Sequence, residues 1–278
     1  MGASRPPFVW ILGSDSLVGP ELELALGVEG IPFRRLSEDA EVYWPVKGPH
    51  GVWVVNCRNV GTPRDEENGT LWMRKMAEGL CWAQKAREVG ARFVHMSSDR
   101  VFEERKRQWS EEEVPRPSDR YGRWEADGER LVSEACPSSF ILRSSCIYGV
   151  HGANLVGDLL ARMRTGETLS LSPLGVGSPT WARDLAGMIL ELILAEREDF
   201  GVFHVTAEGT TTEMGLGVAI HRAVWRLGLV DRPVPLAMEF GCLGYHGIAL
   251  SNAKFRKAFG LSLPPWRTSL ERFLLTLA

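Results

Sequence analysis

The stretch Phe8-Val-Trp-Ile-Leu12, running into Gly13-Ser-Asp-Ser16-Leu17-Val18-Gly19-Pro20, decides the fold. Five apolar residues in succession, with no polar residue between them, read as a strand buried on both faces. The strand stops at a glycine, and Pro20 suits the first turn of a helix, where its missing N–H costs little. A tight glycine turn at a helix start gathers backbone N–H groups and the helix dipole at one point. That arrangement holds a pyrophosphate, and Gly19 lets the helix pack closely on the strand. Gly13, Ser16, Leu17, Val18 and Gly19 are therefore the candidate cofactor loop. The spacing is that of a GxxGxxG loop with Ser16 in place of the middle glycine, so a methylene and a hydroxyl stand where backbone would approach phosphate.

Outward from this unit, residues 31–36, 51–56, 91–97 and 139–144 repeat the short apolar run. Residues 19–27, 70–89 and 119–135 between them carry apolar residues at helical spacing. Strands alternating with helices predict an α/β fold, a Rossmann-type doubly wound parallel sheet with helices on both faces. Residues 37–50 are too short and too proline-punctuated for an ordinary crossover helix. After residue 148 glycines and prolines interrupt the chain up to 179, residues 201–207 read as one more strand, and 212–227 and 269–277 read as helices beside a Pro/Gly-rich loop at 230–247. The expected organisation is a dinucleotide-binding domain over 1–148 and a smaller substrate lobe over 149–278. Some strands and helices of that lobe complete the sheet.

The chain has 278 residues, 44% hydrophobic and 24% charged, enough for a packed core. A net charge of −3 gives no electrostatic footprint for nucleic acid or an anionic membrane surface. The five cysteines, Cys57, Cys81, Cys136, Cys146 and Cys242, are widely spaced with no CxxC pair, which argues against a disulfide framework or zinc site and for a reducing cytoplasm. No metal is indicated by the histidines. No apolar run reaches the roughly 20 residues of a bilayer span, and the N-terminus lacks the pattern of a signal peptide.

The second strand ends Phe33-Arg34-Arg35-Leu36. At this position an acid selects NAD through the ribose hydroxyl, whereas arginine accommodates the extra phosphate of NADP. Arg34 and Arg35 thus point to NADP(H).

Four further segments, in order, carry a resemblance: His95-Met-Ser97-Ser98-Asp99-Arg-Val101-Phe102; Glu112-Glu-Val-Pro115-Arg-Pro117 leading to Tyr121-Gly122; Ile147-Tyr148-Gly149-Val-His-Gly152-Ala-Asn154; and Gly177-Ser178-Pro179-Thr180-Trp181-Ala-Arg-Asp184. Together with Leu250-Ser-Asn252-Ala-Lys254 they make the chain resemble the dTDP-4-dehydrorhamnose reductases of the extended short-chain dehydrogenase/reductase superfamily. It is also similar to the regulatory beta subunit of methionine adenosyltransferase. The resemblance implies hydride transfer from NADPH to the 4-keto carbon of a nucleotide-linked 6-deoxysugar. It also implies Tyr121 as proton donor, Ser98 as donor to the carbonyl oxygen, Asn56, Cys57 and Arg58 beside the cofactor, and Asp99, Val101, Asn154, Thr180 and Trp181 around the substrate. Tyr121, Asn154, Thr180 and Trp181 are expected to share one pocket. Trp181 is the stronger pocket candidate, and Trp124 the weaker.

The sequence departs from that pattern where the YxxxK lysine belongs. This position is Glu125, one helical turn from Tyr121. At ~5 Å and an effective dielectric of about 20 a unit charge is worth roughly 3 kcal/mol, so reversing it is expected to slow or disable the reductase. Arg58, Arg100 and the altered loop Cys242-Leu-Gly-Tyr-His-Gly247 also depart, and Lys75 is a candidate substitute cation. Three readings stay open: a reductase, a non-catalytic regulatory or scaffold subunit paired with a partner enzyme or itself, and a lyase or isomerase with Glu125 as base.

Overall fold

A computed structural model describes residues 6–36, 51–58, 69–104, 108–231, 234–239 and 248–278. Six parallel strands form the main sheet in the order β2-β1-β3-β4-β5-β9. They are β1 Phe8–Leu12, β2 Phe33–Leu36, β3 Val52–Asn56, β4 Arg92–Ser98, β5 Ser139–Ser144 and, later in the chain, β9 Gly201–His204. Because strand side chains alternate between faces, β1 feeds two cores at once. Val9 and Ile11 pack with α1 (Gly19–Val28) and α5 (Ala182–Leu194), while Trp10 and Leu12 pack with α2 (Gly69–Val89) and α3 (Arg120–Ala135). The chain doubles back between β2 and β3, which flank β1. Ligands of such sheets bind in the crevice at that reversal, outside the carboxyl ends of the strands.

The remaining elements build a lobe with its own core around Tyr148, Leu160, Leu171, Trp181, Leu216 and Phe273. They are the two-residue pair β6 Ile147–Tyr148 and β8 Thr180–Trp181, the pair β7 Leu169–Leu171 and β10 Leu236–Met238, and the helices α4 Leu155–Thr165, α6 Glu213–Arg226 and α8 Trp266–Leu275, whereas α7 Ala253–Phe259 packs Phe255 and Phe259 on Phe203 of β9 in the sheet core. The five strands predicted over residues 8–144 and the three helices between them stand within two residues of their predicted bounds. Three helices are additions to the sequence reading: α4, α5 and the short α7. α4 starts on the cap Asn154, whose side chain accepts the Gly157 N–H at 2.9 Å. α5 turns Leu185, Ala186, Ile189 and Ile193 into the sheet core and leaves Arg183 and Glu191 exposed. The expected shortened crossover at 37–50 and the loop 242–247 lie outside the described residues. Among the described residues no helix is long and apolar enough to cross a membrane.

Candidate active site

The glycine loop is shaped by close backbone contacts. Gly13 has φ +84°, and a Cβ there would stand 2.6 Å from the Arg58 nitrogen. A Cβ on Gly19 would run into the Gly13 carbonyl. Ser16 does not project outward: its hydroxyl accepts the Gly19 N–H at 3.0 Å. Val18 sits at the N-cap of α1 and offers no cap from its own side chain, which is buried with the sheet core, while Leu17 lies against Gly152. Ser14, inside the loop, has a buried hydroxyl with no partner. An orphaned hydroxyl in a concave turn at a helix start, where the helix dipole is positive, fits the oxygen atoms of a pyrophosphate. Val18 therefore serves this loop through its backbone.

Arg34 and Arg35 occupy alternate faces of β2. Arg35 is held by Glu23 of α1 at 2.6 and 2.9 Å, which leaves Arg34 as the exposed guanidinium not tied to that helix. At the end of β3, Asn56 accepts the Arg58 N–H at 3.1 Å and its amide meets His95 Nδ1 at 3.1 Å. Cys57 is buried, and its thiol is pushed up to about 12 by burial and then by Glu23. Arg58, the residue expected to crowd the cofactor, sends its side chain to Glu78 of α2.

Ser98 ends β4, and a 3-10 turn over Asp99–Val101 follows. Its hydroxyl donates to Asp99 at 3.1 Å and accepts the Arg100 N–H at 3.2 Å. Ser145 donates to the second Asp99 oxygen at 2.7 Å, yet burial still raises this carboxyl to about 6. The Arg100 guanidinium pairs with Asp119, which caps α3 by accepting the Gly122 N–H at 2.6 Å. A Cβ on Gly122 would strike the Arg100 carbonyl. What the sequence presents as a departure at Arg100 is thus a clamp on the helix start that carries Tyr121. No motif announces it; only the pairing of Arg100 with a helix-capping Asp119 could have.

Tyr121 is 6% exposed, with the Ser98 hydroxyl close enough to favour its ionised form. Burial first, and then Glu125, holds its phenol well above the ordinary range. Glu125 is 4% exposed, and burial, then Glu129, raises it to about 8, against weaker lowering by Tyr121 and Lys75. Burial thus works against the carboxylate charge expected beside the tyrosine and favours the neutral acid. Glu129, one turn further on, stays paired. It takes Arg143 of β5 at 2.6 and 2.7 Å and the Ser97 hydroxyl at 2.5 Å.

A narrow cleft between α2 and α3 is lined by Asn56, Arg58, Lys75, His95, Trp124 and Glu125, among others. Trp124 stacks on Trp72 at 4.8 Å, so the weaker of the two tryptophan candidates is the one that lines this cleft. Asn154, Thr180 and Trp181 do not line it. Asn154 caps α4, Thr180 is fully buried and bonded to Ser178 and Ala207, and Trp181 is 2% exposed beside Phe273 with Arg183 and Arg272 on its ring. Val101 is likewise buried, with Phe102, Trp109 and Leu250. Asn154, Thr180 and Trp181, the three side chains expected to share a pocket with Tyr121, and Val101 thus have their atoms engaged in a cap and in cores.

Comparison with known proteins gives the family. The model of the RmlD substrate binding domain matches residues 75–278. A dTDP-4-dehydrorhamnose reductase of Burkholderia thailandensis is 31% identical over 291 residues, covering 93% of this chain and 95% of that one. Solved dTDP-4-dehydrorhamnose reductases share the fold. The one from Clostridium acetobutylicum superposes with TM-score 0.81 at 24% identity over 97% of this chain and 99% of that one. The one from Bacillus anthracis, in complex with NADP, superposes with TM-score 0.81 at 22% identity over 98% and 99%. A sheet with its glycine loop at the strand reversal, a serine and tyrosine brought together beside it, and this match over most of the length agree: the chain belongs to the RmlD substrate-binding-domain family, that of the dTDP-4-dehydrorhamnose reductases.

Proposed function

We propose that the chain is an NADPH-dependent reductase of a dTDP-linked 4-keto-6-deoxysugar or a closely related nucleotide-linked carbonyl. The observation that carries this reading is the Ser98–Tyr121 pair. It is held rigidly by the Asp99–Ser145 and Arg100–Asp119 contacts, at the carboxyl end of β4 and two strands from the glycine loop. The bound dinucleotide supplies the hydride. Gly13, Ser14 and the start of α1 would hold its pyrophosphate, and Arg34 would meet the 2′-phosphate. Ser98 orients the carbonyl by hydrogen-bonding its oxygen, and Tyr121 passes its phenolic proton to that oxygen as negative charge develops. Burial keeps Tyr121 protonated until an acceptor arrives.

The test is to incubate the protein with NADPH or NADH and a dTDP-4-keto-6-deoxysugar and follow nicotinamide oxidation and the reduced sugar. Faster turnover with NADPH is expected. Tight NADPH binding without turnover would favour the regulatory reading, and no nucleotide binding at millimolar ligand would overturn the cofactor assignment.

A further inference from the structure

Glu125 is a glutamic acid at a position that the reductase reading would give to a cation, and its surroundings are built for a neutral acid. On α3 it faces Tyr121 one turn back and Glu129 one turn on. From α2 it faces Lys75, from the end of β3 Asn56 and Arg58, and from β4 His95. Arg58 is engaged by Glu78, while Glu129, though paired with Arg143, still acts on Glu125 as a like charge one turn away. His95 is buried and held neutral, at about 4. One carboxyl oxygen of Glu125, Oε1, is buried with no hydrogen-bond partner. The cleft that it lines has room for about one water molecule. The base of the cleft, Asn56, His95 and Glu125, is buried, whereas Lys75, Arg58 and Trp124 near its mouth are partly exposed. A carboxyl therefore touches the tyrosine on one side and a water-sized passage toward solvent on the other.

We infer that Glu125 is a positioning residue that resupplies the proton of Tyr121, with the Lys75-lined cleft as its route to solvent. This rests on the reductase reading. When the nicotinamide donor delivers hydride to the carbonyl carbon, the tyrosine O–H bond breaks and its proton joins the carbonyl oxygen. The Glu125 O–H proton moves to the phenolate oxygen. Tyrosine is restored, Glu125 is left as carboxylate, and a proton from water in the cleft returns it to the acid. The balance is one hydride and one proton to the substrate, with the proton drawn finally from solvent. A lysine in this position would favour tyrosinate by charge; the glutamic acid instead shortens the life of the phenolate by protonating it. A raised Glu125, at about 8, supplies the acid form at neutral pH.

The experiment compares the native protein with Glu125→Gln and Lys75→Met in pH–rate profiles of kcat, with solvent isotope effects. Activity of the native protein should fall as pH rises through about 8, where Glu125 gives up its proton. Glu125→Gln keeps the shape but has no proton to give. It should lower kcat tenfold or more with little change in KM and should lose that alkaline limb. Lys75→Met should move the limb to higher pH, since Lys75 favours the carboxylate. Independently of turnover, an infrared carbonyl band of a neutral carboxyl should be present at pH 7, vanish above pH 9 and be absent in Glu125→Gln. A native protein with turnover whose Glu125→Gln variant matches it in kcat and pH profile overturns the inference while leaving the reductase reading standing. A native protein with no turnover on any such sugar overturns the reductase reading and this inference with it.

Discussion

The glycine loop and the α2–α3 cleft each carry one residue that breaks the expected pattern, Ser16 in the first and Glu125 in the second, and the two regions absorb the break by different physics. In the loop the constraint is shape. Gly13 and Gly19 are fixed by backbone that no Cβ could share, whereas Ser16 turns its hydroxyl onto the Gly19 N–H and stays within the turn. In the cleft the constraint is charge. Glu125 is packed beside a tyrosine and a second glutamate, and the low-dielectric surroundings answer by keeping it protonated. A departure from a motif is thus judged by where its atoms and charge go in the fold, and neither of these two dismantles the site around Tyr121.

The comparison breaks first at the charged end. Removing one partner of the buried Glu129–Arg143 pair with Glu129→Ala should destabilise the protein by about 3–5 kcal/mol, because it leaves a guanidinium buried without its partner. Urea unfolding reads this, and a loss below about 1 kcal/mol would mean that the cleft tolerates charge as readily as the loop tolerates Ser16. At the shaped end, Gly19→Ala forces a methyl onto the Gly13 carbonyl and should destabilise by about 1–3 kcal/mol, with weaker nucleotide binding by calorimetry.

The third prediction concerns pH. With Glu125 near 8 in the fold and near 4.5 when unfolded, the unfolded chain releases a proton that the native protein keeps. Stability is therefore lost as pH rises from about 4.5 to about 8. Glu125→Gln has no such linkage. Its thermal midpoint should gain on the native protein across that window, by at least ~1 kcal/mol at pH 8, and the gain should level off above it. A constant difference from pH 4 to 9 would contradict the buried acid. The smallest effect belongs to Ser16→Gly, which removes one acceptor for Gly19. It should weaken folding by about 0.5–1.5 kcal/mol while changing nucleotide affinity by less than about threefold.

Much of this architecture was legible in residues 8–20 and in the runs that echo them, because strands buried on both faces and helices between them leave distinct apolar patterns. β1 shows why: every residue of Phe8–Leu12 meets a core, whichever face it takes. The lobe was less legible, since the two-residue strands β6 and β8 are too short to carry a period. At the site, Ser98, Tyr121 and the glycines follow from spacing. The state of Glu125 does not, because its charge depends on burial and on Glu129, Lys75 and Tyr121 together. Nor could sequence separate Trp124, which lines a cleft, from Trp181, which fills a core. Trp124 lies in the first turns of α3 and Trp181 just before α5, and only the packing of the lobe against Phe273 decides between them.

The central claim is that Tyr121, oriented by Ser98, gives the proton in an NADPH-dependent carbonyl reduction, and Tyr121→Phe tests it most directly. The variant removes one oxygen and should keep the thermal midpoint and NADPH affinity close to those of the native protein. The account predicts that kcat for reduction of a dTDP-4-keto-6-deoxysugar falls about 10²–10⁴-fold. A folded, NADPH-binding Tyr121→Phe protein that reduces the sugar as fast as the native one would contradict it.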